Sequence, residues 1–350
     1  MATLLLQYDK FRDGKNGPDF VNPWIALLSA WIHHKRGEQN AAIAGIHISI
    51  PLFEQLGDLW GRGLAFHFLG TVHYILGQFD QAKTYLEQCI DDWKRYGAHP
   101  GPIAFCLHSL INVARMQGQY SVAKELAEEC KSMLEHLGYA VGLAYLYSNL
   151  GHISRAEQQW LAAADYYEKS LDISYAVNLR DTIEACHYGL GCTLLEQNKL
   201  DEAYQQFMQS LTFAESRGTQ NHRGAAAVYN ALAAVASLRQ EFADAKNNLH
   251  VALDIALRND ALSLIVDILL NLSQLAKAQN QLRTAFILLC FIETSPHAKY
   301  SSKQSAAMLL AQWSNESARH RSLSTECYSD VKDLTINEIL ELYIPVSANR

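Results

Sequence analysis

L-G-T-V-H-Y-I-L-G-Q-F-D-Q-A, from Leu69 to Ala82, decides the fold, because degenerate copies of it run along most of the chain. Its most regular column is the alanine: Ala42, Ala82, Ala123, Ala163, Ala203, Ala245 and Ala285 follow at steps of 40, 41, 40, 40, 42 and 40 residues. A leucine stands thirteen residues before the alanine in six of the seven copies, as Leu69, Leu110, Leu150, Leu190, Leu232 and Leu272. The next position is small or apolar (Gly70, Ile111, Gly151, Gly191, Ala233, Ser273). A turn-former lies five before the alanine as Gly37, Gly77 and Gly118, replaced later by Gln158, Asn198, Gln240 and Asn280. Three columns aligned over seven copies describe one internal repeat covering residues 22–295.

Each column has a physical reading. In the second copy Phe66, Leu69, Gly70 and Val72 recur at helical spacing, Gly77 breaks the helix, and Phe79, Ala82 and Leu86 begin another. Every repeat is therefore a helical hairpin, with Gly70 and Ala82 small enough for its two helices to approach closely. One hairpin cannot bury both faces, so neighbours must stack. The expected fold is all-α, a right-handed solenoid of seven helical hairpins over 22–295, with a lead-in segment at 1–21 and a C-terminal helical cap at 296–350.

Composition agrees with a single long core. The chain has 350 residues, 49% of them hydrophobic, and a mean hydropathy of −0.09. No run approaches the roughly 18 apolar residues that cross a bilayer, and Leu4-Leu5-Leu6 is too short for a signal-peptide core; no membrane contact and a cytoplasmic location are expected. Seven cysteines without a C-x-x-C pair fit a reducing compartment. Cys89 and Cys130 share a repeat position with Ser49, Ser170, Ser210 and Ala252, which makes them packing residues. Trp24 and Trp31 lie seven apart on one helical face of the first repeat, and Pro51 should kink or end its second helix. Beyond Ser295-Pro296-His297 one polar helix is expected, with Met308, Leu309, Leu310 and Trp313 as its apolar residues. A last helix starts at the capping box T-I-N-E of Thr335 to Glu338, ahead of Ile339, Leu340 and Leu342.

The hairpin resembles the tetratricopeptide repeat, whose pattern is met loosely by F-H-F-L-G-T-V-H and A-K-T-Y-L. Its period of about 40 rather than 34 lengthens each hairpin by about one and a half helical turns, and the terminal proline is missing. Repeats of this length occur in Pins-type polarity adaptors, kinesin light chains and bacterial regulators. A further resemblance is to the C-terminal repeat domains of bacterial signal-transduction ATPases of the STAND class, including MalT-like and AfsR-like regulators. It rests on Phe53 to Ala65 (F-E-Q-L-G-D-L-W-G-R-G-L-A), on Val266 to Leu289, and on the tail S-P-H-A-K-Y-S-S-K-Q-S-A-A-M-L-L followed by L-T-I-N-E-I-L-E-L. The resemblance implies a sensor domain, since these residues contain no G-x-x-x-x-G-K-[ST] phosphate loop.

Several functions lack support. A net charge of −7 and a pI near 6.0 argue against binding a phosphate backbone, so no direct nucleic acid is expected. H-E-x-x-H and G-x-S-x-G are absent, and Gly61-Arg62-Gly63 opens a helix without a preceding strand. No catalytic residue, metal or cofactor is expected. His33 and His34 face different directions, and His67, His108 and His152 belong to three separate hairpins. The pairs Asp91-Asp92 and Glu128-Glu129 read as solvated.

What remains is the face of each first helix not consumed by packing. The positions two before, two after and five after the leucine column should line a groove. They are His67, Thr71 and Tyr74 in repeat two, His108, Asn112 and Arg115 in repeat three, and Ser148, His152 and Arg155 in repeat four, with Phe105 and Tyr145 one turn earlier. Repeats five and six offer Tyr188, Cys192 and Leu195, then Asn230, Ala234 and Ser237. Of these, Tyr188 extends the groove. Cationic, amide and aromatic groups in an acidic protein point to an acidic protein or peptide partner, with Arg115 and Arg155 as charge partners, Asn112 on the peptide backbone, and Tyr74 and Tyr145 in apolar contact. A small-molecule effector is the other ligand class. Two functions stay open, a sensing domain of a STAND-type regulator and a free-standing scaffold joining two proteins. The non-repeat lead-in after Met1 is expected to favour the first.

Overall fold

The computed structural model describes residues 22–343 except 37, 217, 219–222, 260, 297, 299 and 333. The expected lead-in over 1–21, the turn position Gly37, His297, the side chain of Leu342 and the end of the expected cap lie outside the described residues. Two compact units divide the chain at Leu179 and Arg180. The first holds four helical hairpins: α1 (Pro23–Lys35) with α2 (Gln39–Gln55), α3 (Leu59–Ile75) with α4 (Phe79–Tyr96), α5 (Pro100–Met116) with α6 (Tyr120–His136), and α7 (Ala140–Ala156) with α8 (Trp160–Ala176). The second holds three more, α9 (Arg180–Glu196) with α10 (Leu200–Ser216), α11 (Arg223–Leu238) with α12 (Phe242–Arg258), and α13 (Leu262–Ala278) with α14 (Leu282–Thr294). After them come α15 (Tyr300–Ser314), α16 (Ala318–Val331) and α17 (Ile336–Tyr343). No strand occurs among the described residues.

The turn column shows why each hairpin closes where it does. Gly77, Gly118, Gln158, Asn198, Gln240 and Asn280 all adopt left-handed backbone, with φ from 60° to 75°. At Gly118 the carbonyls left over at the end of α5 are taken up by Gln119 N–H to Ala114 O (2.9 Å) and Gly118 N–H to Arg115 O (3.1 Å). That is the bond pair of a Schellman ending. Gln158 and Gln240 hold the same geometry without glycine's freedom. A second left-handed column, Gly57, Gly97, Gly138, Asn178 and Gly218, ends the second helices and has no counterpart among the sequence columns above.

Packing follows the alanine and leucine columns. All seven column alanines are 0% exposed, and Leu69, Leu110, Leu150, Leu190 and Leu232 are buried. The residue after the leucine faces the one four after the alanine, and the two trade volume. A methyl on Gly70 would lie 2.6 Å from Leu86, one on Gly151 2.6 Å from the Tyr167 ring, and one on Gly191 2.5 Å from the Phe207 ring. In repeat three the order reverses, with Ile111 buried and Ala127 as the small residue. Gly191→Ala should therefore cost about 1–3 kcal/mol through overpacking, read as a lower urea midpoint. Phe207→Leu in the same chain should return part of it, and additive losses would refute the pairing.

The shared serine and cysteine position is indeed buried, at 0% exposure for Ser49, Cys89, Cys130, Ser170, Ser210 and Ala252. It also pins the hairpin: Ser170 Oγ donates to Ala144 O (2.7 Å), Ser210 Oγ to Glu184 O (2.9 Å) and Cys130 Sγ to Ala104 O (3.4 Å). Trp24 meets Phe53 edge-on at 4.9 Å within its own hairpin, whereas Trp31 stacks at 4.7 Å on Phe68 of the next one.

Three expectations are corrected. Pro51 does not end α2, which runs on to Gln55 at the same 17 residues as most other helices. Leu52 and Phe53 beyond it stay helical, and Phe53 is fully buried. Asp92 is not solvated: it is 2% exposed and receives Arg62 Nε and Nη2 at 2.7 Å each. Adjacent Asp91 and the pair Glu128-Glu129 are exposed, as expected. Finally, the residues after Pro296 form two helices before α17, and Met308 is 64% exposed while Leu310 and Trp313 pack into the core around Phe286. The capping box is present, with Thr335 N–H to Glu338 Oε2 at 2.7 Å and Glu338 N–H to Thr335 Oγ1 at 3.3 Å.

Candidate functional site

Within the first unit the first helices α1, α3, α5 and α7 touch one another in succession, while the second helices do so far less. Helices that crowd together lie on the inside of a curved stack, so the first-helix surface is the inner one. The residues picked out for a groove in repeats two to four ride on it, but the structure gives them different jobs.

The histidines act mainly between helices. His67 is 6% exposed; its ring lies 5.0 Å from that of Phe105, and Ser109 Oγ, from the next repeat, is 3.4 Å from its Nε2. Burial pushes its pKa down to about 4. His108 meets Asn149 Nδ2 at 3.4 Å across the next interface and Tyr145 edge-on at 5.8 Å. Burial, and then the charge of Arg115, lowers it to about 4. The same register recurs in the second unit, where Asn271 Nδ2 donates to Asn230 Oδ1 at 2.9 Å. Ser109, Asn149 and Asn271 all stand one before the leucine column, a position that the groove columns omit although its polar residues are visible in the sequence.

His152 is tied within its own hairpin. Its Nδ1 lies 2.7 Å from the hydroxyl of Tyr167, a fully buried residue of α8. Burial, followed by Arg115 and Arg155, lowers its pKa to about 3. All three rings are therefore neutral near pH 7, and the inner surface takes its positive charge from the arginines.

The other residues sort similarly. Thr71 Oγ1 donates back to His67 O (2.9 Å), Tyr74 packs on Phe79 with ring centres 5.9 Å apart, and Ser148 is 7% exposed. Asn112 Nδ2 donates to His108 O at 3.1 Å and its Oδ1 receives Arg115 Nη2 at 3.4 Å. Phe105 remains 59% exposed. Tyr188, in the second unit, lies 6.0 Å from the Phe207 ring.

Arg115 differs from the half-buried Arg62 and Arg239. Arg62 is held by Asp92 and Glu54, and Arg239 by Asp201. Arg115 has a buried Nε with no hydrogen-bond partner, and among the described residues no carboxylate pairs with it. Its neighbours His108, Asn112 and His152 are neutral. Among the described residues no group of three His, Cys, Asp or Glu side chains could hold a metal ion, and no helix is long and apolar enough to cross a membrane.

Residues 62–136 match the tetratricopeptide-repeat family. No curated protein matches the chain. Similar solved structures include the apo form of RapI, 13% identical with a TM-score of 0.62 over 83% of this chain and 100% of that one. Aspartyl phosphate phosphatase F from Bacillus subtilis is 12% identical with a TM-score of 0.64, over 90% of this chain and 71% of that one. The Rap conjugation gene regulator of the plasmid pLS20, in complex with the Phr* peptide, is 15% identical with a TM-score of 0.60, over 83% and 75%. At such identities the likeness is one of fold, and the chain folds as a tetratricopeptide-like α-solenoid.

Proposed function

We propose that this chain is a non-enzymatic binding domain that holds an acidic peptide or protein segment on the first-helix surface of repeats two to four. The observation that carries the reading is Arg115: a cation partly withdrawn from water, without a carboxylate partner among the described residues and bordered by neutral groups. Such a charge is stabilised by an incoming anion, because the surrounding protein neither solvates it fully nor balances it. Arg155 stands one repeat on at the same position, and Phe105 and Tyr145 add aromatic surface on the same helices. The fold supports the reading, since the similar Rap regulator of pLS20 is in complex with a peptide.

The regulatory setting is the finer part of the proposal. The likeness of Phe53–Ala65 and Val266–Leu289 to repeat domains of STAND-class ATPases favours a sensor that biases a switch elsewhere through differential binding. A scaffold joining two proteins needs the same surface and no switch. An in-frame phosphate-loop domain in the neighbouring coding sequence decides for the sensor.

The binding reading is tested with a fluorescein-labelled glutamate-rich peptide, followed by anisotropy at low salt. Arg115→Ala with Arg155→Ala should weaken binding by roughly tenfold or more per lost charge-assisted bond, and binding to the native chain should fall as salt rises. Equal affinity for native and variant chains refutes it.

A further inference from the structure

Later hairpins reach their predecessors through three columns. The residue before the leucine column meets the preceding first helix: Phe68 stacks on Trp31 at 4.7 Å, Ser109 Oγ lies 3.4 Å from His67 Nε2, and Asn149 Nδ2 lies 3.4 Å from His108 Nε2. Six before the column alanine, Gln117 donates to Asp80 at 2.7 Å, Glu157 receives Lys124, and Arg239 donates to Asp201. Six after it, Glu129 pairs with Lys94 at 3.7 Å.

The first hairpin carries these columns as Leu28, Arg36 and Ile48, and no hairpin precedes it among the described residues. Leu28 is 53% exposed and Ile48 46%. Leu28 stands between Ile25 and Ile32, both half-buried, on one face of α1. Arg36 makes only backbone bonds among the described residues. A repeat that ends a solenoid shows water a polar outer face. This one shows aliphatic side chains, and Ile48 stands where repeats two to four carry Gln88, Glu129 and Lys169. At the other end, the last hairpin is covered by residues that follow it, since Leu310 and Trp313 join the core around Phe286.

The residues before α1 offer matching chemistry. Leu4, Leu5, Leu6, Tyr8 and Phe11 fall within eight positions, and Asp9 and Asp13 carry the group that Asp201 gives Arg239. Ten residues, Arg12 to Val21, join Phe11 to Asn22 and extend to at most about 36 Å. Helix α1 has 13 residues and is about 20 Å long, so the tether reaches the whole face. Tethering gives an effective concentration on the order of millimolar, which a second copy does not reach in dilute solution. We propose that residues 4–11 dock on the outer face of the first hairpin, with apolar side chains over Leu28 and Ile48 and a carboxylate on Arg36.

The test is limited trypsin digestion of the full chain, with cuts after Lys10, Arg12 and Lys15 read by mass spectrometry. Cleavage there should be at least about tenfold slower in the native chain than in a Leu28→Ser/Ile48→Ser variant, because it follows the undocked fraction. A second variant, Leu4→Ser/Leu5→Ser/Phe11→Ser, leaves the described hairpins untouched and should be cut as fast as the first. Combining the two sets should add nothing, and sedimentation should show a native monomer. Equal cleavage rates in the native chain and both variants overturn the docking. Protection that survives Leu28→Ser/Ile48→Ser overturns it too, because the segment is then held elsewhere. So does a native dimer that this variant dissociates, because a second copy then occupies the face.

Discussion

Replacing Asp92 with alanine should destabilise the first unit by about 3 kcal/mol or more, because it strands a guanidinium that the fold has largely buried. The carboxylate is 3% exposed at the side chain and takes two 2.7 Å bonds from Arg62, itself 16% exposed. Glu54 also reaches Arg62 at 3.0 Å but is 67% exposed, so it compensates only part of the charge. Glu54→Ala is accordingly expected to cost no more than about 1 kcal/mol. The informative variant is Arg62→Met with Asp92→Leu, which removes both charges and should recover most of the loss. Urea unfolding of the four chains decides the matter. A double variant as unstable as Asp92→Ala would mean that shape, and not stranded charge, sets the cost.

Acid should loosen the same unit well before most carboxylates protonate. Unfolded histidine takes up a proton near pH 6.5, whereas His67 and His108 are held to about 4 and His152 to about 3. Between those limits the unfolded chain binds more protons than the folded one, so stability is complete above pH 6.5 and declines as pH falls. The decline levels off once the folded rings also protonate. A tenfold difference in proton affinity between the folded and unfolded ring is worth about 1.4 kcal/mol, and each of these rings differs by more than a hundredfold, so each contributes on the order of 3 kcal/mol over its whole range. The urea midpoint should fall between pH 7 and pH 4.5, and His152→Gln should flatten that fall. A midpoint independent of pH in this range would show that the buried rings protonate without opposition.

The repeat explains why so much of the fold is legible in the sequence. A column that must be small, such as Ala82 against Gly70, tolerates few residue types and leaves a mark in every copy. The turn column does the same, since the chain must reverse through left-handed backbone at Gly77, Gly118 and Asn198. The second turn column is harder to see because Leu56, Tyr96 and Tyr139 beside it vary freely on exposed surface. Asp92 is hidden for a different reason. Its partner lies 30 residues away in another helix, and adjacency to Asp91 says nothing about which carboxylate turns inward.

The candidate site is legible as a set of positions and not as a set of roles. Helical spacing alone puts His67, His108, His152, Asn112, Arg115 and Arg155 on one face of their helices. Which of them stay available depends on what the next hairpin brings against them. Ser109 and Asn149 close on His67 and His108, and Tyr167 reaches His152 from behind. Arg115 meets no such carboxylate among the described residues. By itself, then, the amino-acid order determined the hairpins, their period and their inner face, because those follow from spacing along the chain. Tertiary structure alone decided which carboxylate is buried, which imidazoles stay neutral and that Arg115 meets no carboxylate among the described residues, because burial and pairing depend on groups about 15 to 42 residues away.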